Sequence, residues 1–205
     1  MTFHFNKDYV LEDERVLLRP LRAEDRINLQ GFSVNEPDLW KYSLQGAAGM
    51  AELDKYINIA LNGRASQKEY PFIVFDKKSQ QYAGSTRFYD IQPDYQTLQL
   101  GYTWYGKAFQ GTGLNRHCKF LLFQFAFEEL GVERLELRAD NDNKRSIAAM
   151  QAIGCKVDGI LRNNMPKPKG ETGRRDSIVL SVLRHEWFGG VKELMWEKRG
   201  IRGKS

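Results

Sequence analysis

Three glycines stand within GKAFQGTGLNR, Gly106 to Arg116, between a strand-like run, LQLGYTWY, and a strongly amphipathic helical run. Glycine-rich turns that open a helix bind phosphate, because free backbone N–H groups and the positive end of the helix dipole meet there. Three kinds of phosphate chemistry compete for this stretch. A P-loop needs a lysine after the second glycine. Gly106 and Gly111 have that spacing, but Thr112 follows, so the charge that would neutralise nucleotide β- and γ-phosphates is missing. A dinucleotide fingerprint needs GxGxxG. Gly111 and Gly113 fill two of its positions, Arg116 occupies the third, and no acidic ribose partner follows at the right distance. The third reading asks for less. Gln110, Gly111, Thr112, Gly113, Leu114 and Asn115 can wrap one pyrophosphate with successive N–H groups, the glycines letting backbone approach without a Cβ clash. That suits a coenzyme held by its pyrophosphate and extended along the sheet. The same residues also serve a plain strand-to-helix turn, and the spacing alone leaves both open.

The elements around this turn follow from periodicity. Arg15 to Leu21 reads as a strand ended by Pro20, and Glu24 to Val34 as a helix. Met50 to Asn62 carries Leu53, Ile57, Ala60 and Leu61 on one helical face, with Gly63 as its stop. Tyr70–Asp76, Tyr82–Ile91 and Thr97–Tyr105 read as consecutive antiparallel strands. After the glycine turn, Leu114, Cys118, Leu121, Leu122 and Phe125 form a buried helix stripe, and Gly131 stands in C′ position. Arg134–Asp140 alternates as a strand, and Lys144–Ile153 is a helix with Asn143 as N-cap and Gly154 at its end. CKVDGILR and RRDSIVLSVL add two strands, and a last helix carries Trp187, Val191, Leu194 and Met195. The strand–turn–helix–strand unit makes a right-handed crossover and a parallel pair. The expected fold is therefore α/β, a mixed sheet with helices on both faces.

Composition sets the class. The 205 residues fit one domain, with a core over residues 10–190 and a basic tail over 197–205. Twelve Phe, 9 Tyr and 4 Trp argue against disorder. The net charge of +5 fits an anionic cofactor as well as nucleic acid, and no basic stripe with a recognisable nucleic-acid fold is present, so no nucleic-acid partner is expected. No apolar run reaches the roughly 18 residues of a membrane span, and no signal region opens the chain, so a cytoplasmic protein without membrane contact is expected. Cys118 and Cys155 match no metal spacing and read as core residues. His4, His117 and His185 lie far apart and mark no metal site or triad, so no metal is expected, and His117 is expected on the exposed side of its helix. The aromatic-rich final segment is a surface on which a second copy could pack as a homodimer.

The ordered set of motifs resembles the GNAT acetyltransferases, in particular their RimJ/RimL-type branch, which acetylates protein N-terminal amines and small amines. Gln110 and Gly113 match the family's (Q/R)xxGx(G/A) phosphate motif, while Asn115 departs from its last position. VLLRPLRAED resembles the branch's first strand and helix, and LGYTWY the bulged strand before the motif. NDNKRSIAAMQAIGCKVDGILR resembles its N–x–x–S helix and the strand after it, and RRDSIVLSVLRHEW its closing strand. The resemblance covers roughly residues 10–190.

It implies a GNAT fold whose central parallel strands splay apart around the pantetheine arm of acetyl-CoA. Backbone groups at Thr103 and Trp104 would then bind the arm and polarise the thioester. Asn143 would bond the arm, and Ser146 would protonate the leaving thiolate. Direct attack by the amine is expected, because no cysteine sits beside a base. Arg87 and Tyr89 alternate on one strand and share a face. They would line an acceptor pocket with Trp104 and the RNNMPKPKGETGRR loop, Arg87 receiving an acceptor carboxylate; ordinary packing and a surface salt bridge are the plain alternative. Asp90, Glu171 and Asp176 are the carboxylates considered for a general base, Asp176 being expected to pair with Arg174 or Arg175, and none is assigned. The acyl donor implied is acetyl-CoA and the acceptor a primary amine; a non-catalytic acyl-CoA-binding module is the alternative.

Overall fold

Alternation along the strands sorts side chains onto two faces of one sheet in the computed structural model, which describes residues 1–168 and 172–200. The sheet has eight strands: β1 (Leu11–Glu12), β2 (Val16–Pro20), β3 (Tyr70–Asp76), β4 (Gln81–Gln92), β5 (Thr97–Tyr105), β6 (Arg134–Asp140), β7 (Lys156–Pro166) and β8 (Arg174–Leu183). Their order is β1-β2-β3-β4-β5-β6-β8-β7. Every neighbouring pair is antiparallel except β5 and β6, which run parallel.

In β3, Phe72 and Val74 enter one core while Ile73 enters the other. The smaller core lies beneath α1 (Arg26–Asn35) and α2 (Met50–Ala65), whose Leu29, Leu53, Ile57 and Ala60 pack with Trp40 and Trp104. The larger lies beneath α3 (Leu114–Gln124) and α4 (Lys144–Ala152), with Leu114, Cys118, Leu122 and Met150 inside it. Helices thus cover both faces, as the periodicity implies. The chain closes with α5 (Arg184–Glu186), a π-helical turn over Trp187–Val191 and α6 (Lys192–Gly200). The single last helix expected from the apolar spacing is broken there, because Gly190 takes φ +136°. Trp187 and Met195 are buried as expected, whereas Phe188 and Trp196 stay exposed.

Two boundaries differ from the sequence reading. Gly63 does not stop α2, which runs on to Ala65. A Cβ at Gly63 would come within 2.9 Å of the Glu69 side chain, so this glycine clears space for a carboxylate. β7 continues beyond Arg162 to Pro166, paired with β8. The expected tail falls largely on residues 201–205, outside the described residues. Among the described residues, no helix is long and apolar enough to cross a membrane.

Candidate active site

Only three residues of β5 pair with β6: Thr97 with Arg134, Leu98 with Leu135 and Gln99 with Glu136. Beyond them the two strands part, and β5 continues from Leu100 to Tyr105 with its β6 side unpaired. That stretch makes a slot about 20 Å deep in strand rise. Its outer end is the glycine turn. Gly111 and Gly113 take φ +75° and +91°, and a Cβ at either would meet nothing within 4 Å. The glycines are therefore needed for the sign of φ, and the space in front of them is open. Gly113 starts α3, and among the described residues the N–H groups of Gly111, Thr112 and Gly113 donate to no protein group. Leu114 anchors the helix in the larger core.

The side chains of the turn hold it together. Gln110 Nε2 donates to Tyr105 O at 2.8 Å, and its Oε1 accepts from Arg145 of α4, also at 2.8 Å. Thr112 Oγ1 donates to Phe109 O at 2.8 Å. Gln110 thus ties the end of β5 to its own turn, leaving backbone to face a ligand. Asn115 is half-buried, and its Oδ1 is buried without a partner among the described residues.

Midway along the slot β5 bulges. Ser85 pairs with Trp104 and Arg87 with Gly101, so Tyr102 and Thr103 together oppose Thr86, and Tyr102 takes φ +49°. The bulge turns Thr103 toward α3 and Tyr102 toward α2. Thr103 Oγ1 lies 2.7 Å from Thr86 Oγ1 and accepts from Lys119 Nζ at 3.2 Å. The Trp104 ring belongs to the smaller core: its Nε1 donates to Tyr56 Oη at 3.2 Å and its ring packs on Trp40 at 5.2 Å. Only the backbone of Trp104 is available to a ligand. Across the slot, Asn143 Oδ1 accepts from Ser146 N–H at 3.1 Å, the N-cap expected from the sequence. The Ser146 hydroxyl is half-buried and has no hydrogen-bond partner among the described residues.

On the other face, Arg87 and Tyr89 do share a side, and Tyr102 lies between them. The Arg87 guanidinium is 4.1 Å from the Tyr102 ring and 4.9 Å from that of Tyr56, and the Tyr89 and Tyr102 rings are 5.0 Å apart. Arg87 is fully buried, and its Nη1 is 2.5 Å from Glu69 Oε2. The surface salt bridge envisaged for it is thus an interior one, and its charge is already met by Glu69. Burial opposes that charge, but Tyr56 and Glu69 outweigh it and raise the Arg87 pKa. Burial likewise pushes the Tyr89 phenol well up, so it stays neutral. Glu69, Tyr56 and Tyr102 were missed by sequence reasoning. The available signal was Arg87 itself, because an arginine on an interior strand face requires a carboxylate.

Two of the carboxylates considered as bases, Asp90 and Asp176, are engaged elsewhere. Asp90 accepts from Gln92 Nε2 at 2.8 Å and from Gln99 Nε2 at 2.7 Å. Asp176 accepts the Asn163 N–H at 2.8 Å; Arg174 turns instead to the Asn163 and Asn164 carbonyls, and Arg175 to Tyr42 O and Asp140. Glu171 lies outside the described residues. His117 is not on an exposed face: it is buried, with Nδ1 2.7 Å from Asp13 Oδ2. Burial alone would raise the Asp13 pKa, but hydrogen bonds from His117, Val16 and Arg15 hold it at about 2. This pair, with Arg199 also on Asp13 at 3.0 Å, pins α3 and α6 to the start of β2.

A slot between parting parallel strands, a bulge at its middle and a phosphate-type turn at its end are what transfer from a long acyl carrier requires. The comparisons with known proteins agree. Residues 15–156 match the model of the acetyltransferase (GNAT) domain. The chain is 24% identical to the uncharacterized N-acetyltransferase p20 of Bacillus licheniformis over 184 residues, covering 87% of this chain and 98% of that protein. It is 31% identical over 91 residues to YdaF of Bacillus subtilis, provisionally assigned as a ribosomal N-acetyltransferase, covering 44% of this chain and 48% of YdaF. A GCN5-related N-acetyltransferase from Brucella melitensis has a similar crystal structure, with TM-score 0.86 and 25% identity over 98% of this chain and 94% of that one. The chain belongs to the GNAT family and is an acyl-CoA-dependent N-acetyltransferase.

Proposed function

We propose that this enzyme moves acetyl from acetyl-CoA to a primary amine, a protein N-terminus or a small amine, in the manner of the RimJ/RimL-type branch. The observation that carries the reading is the parting of β5 and β6 beside a glycine turn whose Gly111, Thr112 and Gly113 N–H groups have no partner among the described residues. The part-length likeness to YdaF supports a protein acceptor. The reading takes the whole chain as one acetyltransferase domain acting in the cytoplasm.

In this reading the turn from Gln110 to Asn115 grips the pyrophosphate through backbone N–H groups and the α3 dipole. Thr103 and Trp104 offer backbone to the pantetheine arm and the thioester oxygen. Asn143 contributes its side-chain NH2, since its Oδ1 is taken by Ser146 N–H. The amine nitrogen attacks the thioester carbon, the C–S bond breaks and its electron pair goes to sulfur. Ser146 gives the sulfur a proton and regains one from water, while the acceptor nitrogen loses one to water. Transfer is direct: burial pushes both Cys118 and Cys155 up to about 12, so neither is a nucleophile that would carry the acetyl group. Arg87 and Tyr89 shape the acceptor side, Arg87 by fixing Glu69.

The test is release of CoA thiol from acetyl-CoA across a panel of N-terminal peptides, amino acids, polyamines and aminoglycosides. Amine-dependent release, with N-terminal peptides turned over fastest, is expected. Binding of CoA without release for any amine would instead make the chain a non-catalytic acyl-CoA-binding module.

A further inference from the structure

One cation in the core has no role in the steps above. Lys119 is 6% exposed, in the second turn of α3, among the buried residues of that helix. Among the described residues its Nζ makes one hydrogen bond, to Thr103 Oγ1 at 3.2 Å, and no carboxylate lies within ion-pair distance of it. An ammonium in such a place costs several kcal/mol when nothing balances it, and a leucine or methionine would fill the same space without that cost. Its surroundings are the Thr103 and Thr86 hydroxyls from β5 and β4, Cys118 on its own helix and Cys155 ahead of β7. Tyr105 of β5 lies beside Cys118, its Oη without a hydrogen-bond partner among the described residues, and Asp13, the carboxylate that bears on Cys118, already holds His117 and Arg199. The Thr103 hydroxyl is itself engaged with Thr86 Oγ1 and Gly101 O, so Lys119 is anchored at the β5 bulge without a counter-charge among the described residues. A group that becomes negative beside Thr103 supplies that counter-charge.

Resting on the acetyl-CoA reading above, we infer that Lys119 is a further catalytic residue acting on the leaving group: its ammonium, anchored on Thr103, stabilises the thiolate of CoA as the C–S bond breaks. The lysine undergoes no net change in the reaction. The bond formed is C–N, the bond broken is C–S, and the sulfur's proton still comes through Ser146. The ammonium sets how much negative charge the sulfur bears before that proton arrives. Burial lowers the Lys119 pKa to about 8, so the charge is present at neutral pH and lost above it.

Titration of the thiol of bound CoA, followed by thiolate absorbance, tests this without turnover. Cys118 and Cys155, each pushed up to about 12, stay silent over the range. The wild-type complex is expected to ionise its CoA thiol at least about one pH unit below free CoA, as an adjacent positive charge requires. The complex with Lys119→Met is expected to follow free CoA. In turnover, Lys119→Met should lose about 10- to 100-fold in kcat with KM for acetyl-CoA little changed. The wild-type kcat should fall above about pH 8 while the variant's stays level. A wild-type complex whose CoA thiol titrates like free CoA overturns the inference even if Lys119→Met fails to fold, and leaves the acetyl-CoA reading standing. So does a variant complex that titrates like the wild type. Failure of the wild type to bind CoA at all overturns the acetyl-CoA reading and this inference with it.

Discussion

The two sides of the β5 bulge are built differently. The α3 side is assembled from one continuous stretch, Gly106 to Lys119, with α4 closing it. In the proposed reading its working groups are mainly backbone N–H groups and a few polar side chains that have few or no partners among the described residues. The α2 side is assembled from Tyr56, Glu69, Arg87, Tyr89 and Tyr102, which come from a helix, a loop and two strands. Its one buried cation, Arg87, is paired with Glu69 through Nη1, while its Nε and Nη2 are buried without a hydrogen-bond partner among the described residues. In the proposed reading, the first side is open for an arm that reaches in, whereas the second is packed around Arg87 and presents a shaped wall. A carrier used by every reaction of the family can be held by backbone, but an acceptor must be told apart by side chains.

The sharpest way to break this contrast is to open the closed side. Glu69→Ala leaves Arg87 buried without a counter-charge and should lower stability by about 3–5 kcal/mol in a denaturant titration. A loss below about 1 kcal/mol would mean that Arg87 finds another partner and that the wall is not closed. On the open side, Ser146→Ala should lower kcat about 100-fold with CoA affinity unchanged, as loss of a proton donor does. Calorimetry of CoA binding beside the rate measurement separates that outcome from a misfolded site. Lys119→Met should go the other way in stability, gaining about 1–4 kcal/mol while activity falls. The wild type binds fewer protons at Lys119 when folded, with a value of about 8, than when unfolded, at about 10.4. Its stability should therefore rise with pH across that window, and the variant should lack the rise. The smallest effect expected is that of Gly113→Ala, which places a Cβ on backbone at φ +91° and should cost about 1–2 kcal/mol, read as a lower thermal midpoint.

The same contrast explains what could be read without coordinates. The glycine turn, the Asn143 cap and the strand alternation are local, and the chain spells them within a few residues. Gly111 and Gly113 have positive φ because a turn of that length into a helix needs it. Gly63 was misread because its reason lies outside its own helix, at Glu69. His117 was misread because the apolar stripe of α3 assigns it to the outside, and only the approach of Asp13 from the chain start makes it interior. The extension of β7 to Pro166 depends on β8 as its partner, which the polar run from Arg162 to Pro166 does not announce. Asn115 was unexplained as a departure from the phosphate motif. Its side-chain oxygen is buried without a partner among the described residues, and the structure gives the departure no further reason.

Amide hydrogen exchange with and without acetyl-CoA tests the central claim most directly. The account predicts new protection at Leu100–Tyr105 and at Gly111–Asn115, with little change at Arg87 and Tyr89, because the donor fills the open side alone. Protection confined to the α2 side, or none at the glycine turn while acetyl-CoA is bound, would contradict it.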